Sequence, residues 1–187
     1  MLCSATLALA GHGCDEPPPC GTEGAAACPV EASLTAGTIC ADTNTAPGCV
    51  DDQGYAPLHL EDPTVPVDLV VHMGPQGGFH VFLSVRAWGI DPGDPDTAKG
   101  DLGNPLVTFT VKDGDVLLGR RELRVGLLEG PDGSFERVGV AVVLEEDLVQ
   151  TPQNIDGRPL TVEIDVTDAM GVTTSDLVNV IAVGIVG

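Results

Sequence analysis

The amino-acid sequence predicts an all-β protein folded as a β-sandwich, and three observations lead to that class. Hydrophobic residues make up 43% of the 187 residues but aromatic residues only 3%, so Val, Leu, Ile and Ala must build the core, and β-branched side chains suit strands. The 24 Gly and 15 Pro are spread along the chain and interrupt long helices. From residue 65 onward, strand-length apolar runs alternate with turn signals.

The chain is strongly acidic, with a formal charge of −20 from 28 acidic and 8 basic residues. Nucleic acid and anionic membrane surfaces repel such a chain, which excludes both as partners. The acidic residues have two interpretations: a solvated surface that keeps an exported protein soluble, or carboxylates gathered on Ca²⁺.

The N-terminal region contains all six cysteines, within the first 49 residues. Residues 1–13 begin with an apolar run that resembles a signal peptide but lacks a basic start. Cleavage after Ala10 would leave five cysteines, whereas lipidation of Cys14 would leave four for two disulfides. We therefore predict export to the periplasm, the outer cell surface or the medium, with a lipid anchor on Cys14 as the one contact with a membrane.

Residues 14–56 are rich in Pro and small residues and show neither helical nor strand periodicity. We predict an irregular stalk or cap stapled by disulfides. The cysteines left for these disulfides are Cys20, Cys28, Cys40 and Cys49. Four cysteines can pair in three ways, and the sequence does not choose between them. Residues 57–187 are then the sandwich domain.

The strands of that domain follow one another in short runs. Residues 65–73 and 79–90 flank a glycine-rich turn and alternate apolar with polar side chains. Paired as a hairpin, they place Met73 opposite Phe79 and His72 opposite His80, with both imidazoles on one face.

The later strands are shorter. Residues 106–111 and 116–118 come first, and residues 122–128 and 135–144 flank a turn. Residues 145–150 have a helical alternative, a single turn that caps the strand before it, and the last pair of strands spans residues 160–166 and 172–183.

This last pair carries a first resemblance. The run Thr-Asp-Ala-Met-Gly at residues 167–171, with its flanking strands, resembles the closing hairpin of bacterial immunoglobulin-like and cadherin-like domains. The resemblance implies an immunoglobulin-like β-sandwich whose final strand runs antiparallel to its predecessor. Domains of this kind share architecture more than function.

A second resemblance lies in the run Gly-Pro-Gln-Gly-Gly-Phe-His at residues 74–80. It is similar to a run that joins two early strands in secreted lipoproteins of myxobacteria-like bacteria. This resemblance implies a location and a fold and carries no activity.

The facing histidines are the first candidate site. His72 and His80 would supply two ligands to Cu or Zn, with a third from His59, Asp68 or Met73. In the alternative interpretation, His80 shapes the glycine-rich turn and His72 is a solvated edge residue.

Acidic loops are the second candidate site. Ca²⁺ prefers several oxygen ligands on a flexible loop, although the spacing here does not match an EF-hand. Ordinary Asx turns are the alternative interpretation. The loop after the second strand contains Asp91, Asp94, Asp96 and Asp101, and the closing hairpin contains Asp165 and Asp168.

No catalytic signature occurs in the sequence: it lacks G-x-S-x-G, H-E-x-x-H, P-loop and Rossmann motifs. We therefore predict a non-catalytic exported or surface-anchored module for adhesion, envelope structure or self-assembly. It would bind a protein or surface partner, or a second copy through an uncovered strand edge at residues 178–186. The alternative function is a periplasmic or surface metal-binding protein.

Overall fold

The computed structural model describes residues 31–40, 54–59, 65–74 and 77–184, and the compact unit they belong to begins at Glu31. The regular secondary structure of the described residues is almost entirely β, which confirms the predicted all-β class. The strands are β1 (Ser33–Ile39), β2 (Tyr55–Pro57), β3 (Val67–Met73), β4 (Phe79–Trp88), β5 (Leu106–Asp113), β6 (Val116–Arg124), β7 (Leu128–Glu129), β8 (Phe135–Val143), β9 (Pro159–Thr167) and β10 (Thr173–Gly184). Two 3₁₀ turns, Pro131–Gly133 and Pro152–Asn154, lie between strands.

The strands form two layers that share β3. One layer has the order β6–β5–β9–β10–β3, and the other has the order β7–β8–β4–β1–β2. Residues 67–71 of β3 pair in parallel with β10, whereas His72 and Met73 pair antiparallel with β4. The change of partner within one strand connects the layers into a sandwich-like fold.

The core follows from the alternation of side chains along the strands. Successive side chains of a strand point to opposite faces, and the inward residues of β4 and β9 are almost completely buried. They belong to one continuous aliphatic cluster, which confirms the predicted period of two: Val81, Leu83, Val85 and Ala87 of β4, with Leu160, Val162, Ile164 and Val166 of β9.

Both edges of the sandwich are closed by contacts between layers. At one edge, the Asp176 carboxylate on β10 accepts the N–H of Ala36 on β1 at 2.7 Å. At the other, the Glu145 N–H donates to the Leu118 carbonyl of β6 at 2.7 Å. Gly119 is needed there because a Cβ would lie 2.6 Å from the Val143 carbonyl oxygen.

The final strand is not the uncovered edge that the sequence suggested. β9 pairs with β10 as far as Ile181, and β3 pairs with residues 180–184. The backbone of Ala182 is also bonded to Gly157 and Arg158. Residues 180–184 are therefore inner, and that prediction is wrong, because an apolar run does not reveal how many neighbours a strand has. Residues 185–187 lie outside the described residues.

The predicted boundary between stalk and domain is also corrected. β1 and most of β2 fall within residues 14–56, and β1 pairs with β4 from Ser33–Trp88 to Gly37–Ser84. The strand was not predicted because several of its residues are small. Gly37 has to be one of them, since a Cβ there would collide with the Tyr55 ring. The predicted leader at residues 1–13 lies outside the described residues. So do four of the cysteines: Cys14, Cys20, Cys28 and Cys49. The disulfides, including that of Cys40, therefore stay predictions.

Two other local predictions have different outcomes. The short strands expected at 116–118 and 122–128 are one strand, β6, followed by the separate β7. The ladder with β5 continues through Arg120 and Arg121 because long charged side chains fit exposed strand positions. Residues 145–150 contain a hydrogen-bonded turn but no helix, since Leu148 and Val149 both donate to the Glu145 carbonyl at 3.0 Å.

Candidate functional site

The two histidines face each other across the β3–β4 ladder, as the sequence predicted. His72 pairs with His80 and Met73 with Phe79. The imidazole centroids are 5.6 Å apart and their planes are inclined by 23°, so the rings are stacked. The ring of Phe82, two residues along β4 on the same face as His80, makes T-shaped contacts with both imidazoles at centroid distances of 5.0 and 4.9 Å.

The predicted third ligand is not brought to this pair. His59 instead hydrogen-bonds to Asp176 at 2.6 Å. Met73 directly follows His72 in β3, so its side chain points to the opposite face of the strand. Asp68 lies four residues before His72 along β3, which is about 13 Å in a strand. In the described ranges, no three side chains among His, Cys, Asp and Glu are grouped to hold one metal ion.

The glycine-rich turn lies against His80, one member of this pair. The Gly74 N–H donates to the Gly78 carbonyl at 2.7 Å, and Gly77 has a positive φ of 89°. A Cβ at Gly74 would sit 3.6 Å from the Nδ1 atom of His80. The turn and the imidazole are thus in close contact, as the alternative interpretation of His80 requires.

An open groove runs beside His80 on the outer face of the β4 layer. His80 pairs with Val143 of β8 and Phe82 with Ala141, so a histidine–valine row and a phenylalanine–alanine row cross the strands. One hollow of about 360 Å³ adjoins a second of about 480 Å³, and both include Val143 and Glu146. We call the two together the β8 groove. Its lining residues are Gly74, Gly78, Phe79, His80, Ala141 and Val143 to Asp147, with Arg120 at the far end.

The acidic loop after β4 uses its carboxylates to build turns. The Oδ1 atoms of Asp91, Asp94 and Asp101 each accept the N–H of the residue two positions on, at 2.8–3.0 Å. The buried Asn104 accepts the Asp94 N–H at 2.8 Å and donates to Thr97 at 2.9 Å. These are Asx turns, the alternative that the sequence left open beside Ca²⁺.

Asp168 joins this loop to the closing hairpin. Its Oδ2 accepts the Asp91 N–H at 3.0 Å, and its Oδ1 accepts the N–H groups of Met170 and Val172 at 2.9 and 2.8 Å. Burial acts to raise the pKa of Asp168, but the backbone donors, including Gly171, outweigh it and hold the pKa below its ordinary value. The structure therefore brings Asp91 and Asp168 together through the Asp91 backbone N–H.

Asp165, the other acid of the hairpin, lies apart from that junction on the outer face of β9. Partial burial, and then the neighbouring Glu163 carboxylate, raise its pKa. Lys112, on the adjacent strand, is engaged with Glu163 at 2.9 Å. The two acids of the predicted second calcium group therefore lie on different faces of the hairpin.

One partly buried cluster was not predicted from the sequence. The Tyr55 hydroxyl donates to the carbonyls of Thr35 and Ala36 at 3.0 and 3.1 Å, and the Arg86 guanidinium lies 4.1 Å from the ring centroid. Arg86 in turn donates to Glu136 at 2.8 Å. Burial raises the pKa of Tyr55 well above its usual range, against the opposing pull of Arg86. The cluster fastens β1 to β4, and its members are too far apart in sequence to be linked by pattern.

The described residues thus define an all-β, sandwich-like protein with a histidine pair and an open groove on one outer face. No known family model matches the chain, and no curated protein sequence matches it. In the described part of the chain, no helix has the length and apolar character needed to cross a membrane.

Proposed function

We propose that this chain is an exported, non-catalytic binding module that attaches to a protein or surface partner through the outer face of β4 and β8. The observation that carries the proposal is the exposure of Val143, which is 64% accessible to solvent. Val143 lies in one cross-strand row with His72 and His80. Apolar surface rimmed by polar groups is typical of interaction sites. The immunoglobulin-like architecture, the export leader and the lipid anchor on Cys14 are parts of the same proposal.

A binding face suits this fold better than strand addition does. β2 and β7 have three and two residues, and β6 carries Arg120, Arg121 and Glu122 at exposed positions. Short and charged edge strands discourage the pairing of one sheet with another. Adhesion or envelope attachment through side chains therefore fits this molecule better than self-assembly through backbone edges.

The module function is tested by co-sedimentation of the purified chain with cell envelopes of the producing organism. The variant Val143→Arg fills the groove, whereas Val116→Arg alters a valine of comparable exposure on another strand. We expect the wild-type chain and Val116→Arg to sediment with envelopes and Val143→Arg to stay in the supernatant. The proposal fails if the wild-type chain binds no envelope, or if Val143→Arg sediments with envelopes as the wild-type chain does.

A metal-binding function is the second candidate, because the cross-strand register does place His72 opposite His80. Protein purified without chelator would then carry stoichiometric Cu or Zn, and added metal would raise the unfolding temperature by mass action. The double variant His72→Ala, His80→Ala would lose both properties, whereas His59→Ala would keep them. Absence of both metal content and thermal shift in the wild-type chain rules this function out.

A further inference from the structure

The β8 groove has two chemically different halves that meet at Val143 and Glu146. The first is apolar and aromatic, formed by Ala141, Val143 and the ring of His80. The second is acidic and follows directly along the chain. This arrangement restricts what can occupy the whole groove at once.

The apolar half is open partly because Gly74 and Gly78 contribute no side chains to its lining. Gly78 is part of the lining, and the Glu146 Oε1 atom lies 3.5 Å from where a Cβ of Gly78 would be. Ala141 and Val143 are both exposed beside it. An aliphatic side chain entering here would cover Val143 and remove apolar surface from water on both molecules.

The acidic half consists of Glu145, Glu146 and Asp147, all exposed. The backbone that carries them is anchored by the bond from the Glu145 N–H to Leu118 and by the buried Val149. Across the described residues, none of the three carboxylates makes a side-chain hydrogen bond or ion pair.

The cation at the rim of this half is already engaged. Arg120 lines the second hollow, and its Nη2 donates to Glu122 at 3.0 Å. A ligand that supplies positive charge would therefore complement the acidic half, as electrostatic matching across interfaces requires.

The chain itself is poorly suited to supply that charge. Its first basic residue is Arg86, so the whole N-terminal region before β4 contains neither Lys nor Arg. A second copy carries the same net charge of −20 and is repelled. The occupant that fits is a segment of a different protein.

We infer that the β8 groove binds an extended segment of a partner protein in which an aliphatic side chain is flanked by lysine or arginine. Val143 and Glu146 are three residues apart, so the aliphatic and basic side chains must lie within about 10 Å of one another, or two to three residues of extended chain. This inference rests on the proposed binding function and names the chemistry of the partner.

The test uses the full chain and three short capped peptides in which alanine separates valine from lysine, serine from lysine, or valine from glutamate, because side chains two residues apart share one face of an extended chain. Binding is measured by titration calorimetry and located from amide chemical shifts. We expect the lysine–valine peptide to bind and to shift the amides of Ala141 and Val143. The lysine–serine peptide should bind at least tenfold more weakly, and the glutamate–valine peptide should not bind.

Conservative variants separate the two halves. Val143→Thr keeps the shape of the side chain and should weaken lysine–valine binding about tenfold, because it places a hydroxyl in the apolar half. Glu146→Gln should weaken binding about threefold and reduce its dependence on salt. Val116→Thr and Glu129→Gln are the matched controls and should change the affinity less than twofold.

The inference is overturned if the lysine–serine peptide binds as well as lysine–valine, if the shifts map elsewhere, or if no peptide binds at millimolar concentration. Co-sedimentation with envelopes separates this failure from failure of the proposed function. A wild-type chain that sediments with envelopes, but binds no lysine–valine peptide, remains a binding module with a partner of another chemistry.

Discussion

Replacement of Asp168 by asparagine removes the junction between the acidic loop and the closing hairpin. The Asp168 side chain is 5% exposed and accepts backbone N–H groups on both oxygens. An asparagine side chain has the same shape, but its amide NH₂ cannot accept a hydrogen bond as the second carboxylate oxygen does. If the amide oxygen keeps the position of Oδ1 beside the hairpin, the NH₂ group takes the position of Oδ2. This NH₂ group and the Asp91 N–H, both donors, would then face each other.

The cost can be worked out from these bonds. A hydrogen bond to a charged group contributes about 1.5–3 kcal/mol. Asp168→Asn removes one such bond, and the other two then have a neutral acceptor in place of a charged one. We expect the free energy of unfolding to fall by about 3 kcal/mol. For a chain of this size, 1 kcal/mol corresponds to about 2–4 °C, so the midpoint should fall by about 6–12 °C.

The pH dependence has a definite sign. The pKa of Asp168 is lowered in the folded protein, so the unfolded chain takes up the proton first as the pH falls. The stabilisation by this carboxylate is present above the ordinary aspartate range near pH 4 and is lost as the pH falls through the lower folded pKa. The gap between wild type and Asp168→Asn should therefore be constant at neutral pH and close in acid.

Thermal unfolding by circular dichroism over a pH series measures both effects. Asp165→Asn is the matched control on the same hairpin, since the pKa of Asp165 is raised and its ionised form is disfavoured in the fold. Neutralising it should leave the midpoint unchanged or raise it at neutral pH. A midpoint of Asp168→Asn within about 1 °C of wild type, or an equal loss from Asp165→Asn, would refute the reasoning.

Three further outcomes are expected. Gly126→Ala should destabilise the protein by about 1–3 kcal/mol in a denaturant titration, because its Cβ would collide with the backbone of the acidic loop. Gly103→Ala, whose Cβ would meet only the Asp101 carboxylate at 3.3 Å, should cost less in the same titration. Tyr55 is the one tyrosine of the chain, and its raised pKa means that its contribution to stability is lost as the pH rises above the usual tyrosine range; tyrosinate absorbance should then appear only with unfolding, and a normal titration of the native protein would contradict this. Asp176→Ala should cost about 1–3 kcal/mol by leaving a buried N–H of β1 without its acceptor, and an unchanged denaturation midpoint would show that the edge contact is dispensable.

Part of the candidate site was predictable because it depends on short-range geometry. The five residues of the glycine-rich turn set the register of β3 and β4, and this register alone places His72 opposite His80. The proposed third ligands failed because their positions depend on other elements. His59 is hydrogen-bonded to Asp176, which is 117 residues away in sequence. The groove at Val143 was missed because it needs β8 beside β4, and no local pattern states which strands are neighbours.

One signal of the edge closure was readable in principle. Asp176 occupies an inward position of β10, in step with Val178 and Val180, where the period of two calls for an apolar residue. A carboxylate at such a position indicates a polar partner. The partner itself, the N–H of Ala36, lies 140 residues earlier and could not be identified from the strand alone.

Composition and alternation by themselves determined that this chain is all-β, where most of its strands run, and which faces of β4 and β9 are buried. These properties depend on residues a few positions apart, for which the pleat imposes a strict period. Tertiary structure decided that β1 belongs to the sheet, that β10 is an inner strand, and that Asp168 binds the backbone of Asp91 from 77 residues away. The physical reason is that such contacts arise when distant segments compete for the same edges and donors, and that competition is resolved only when the whole chain has packed.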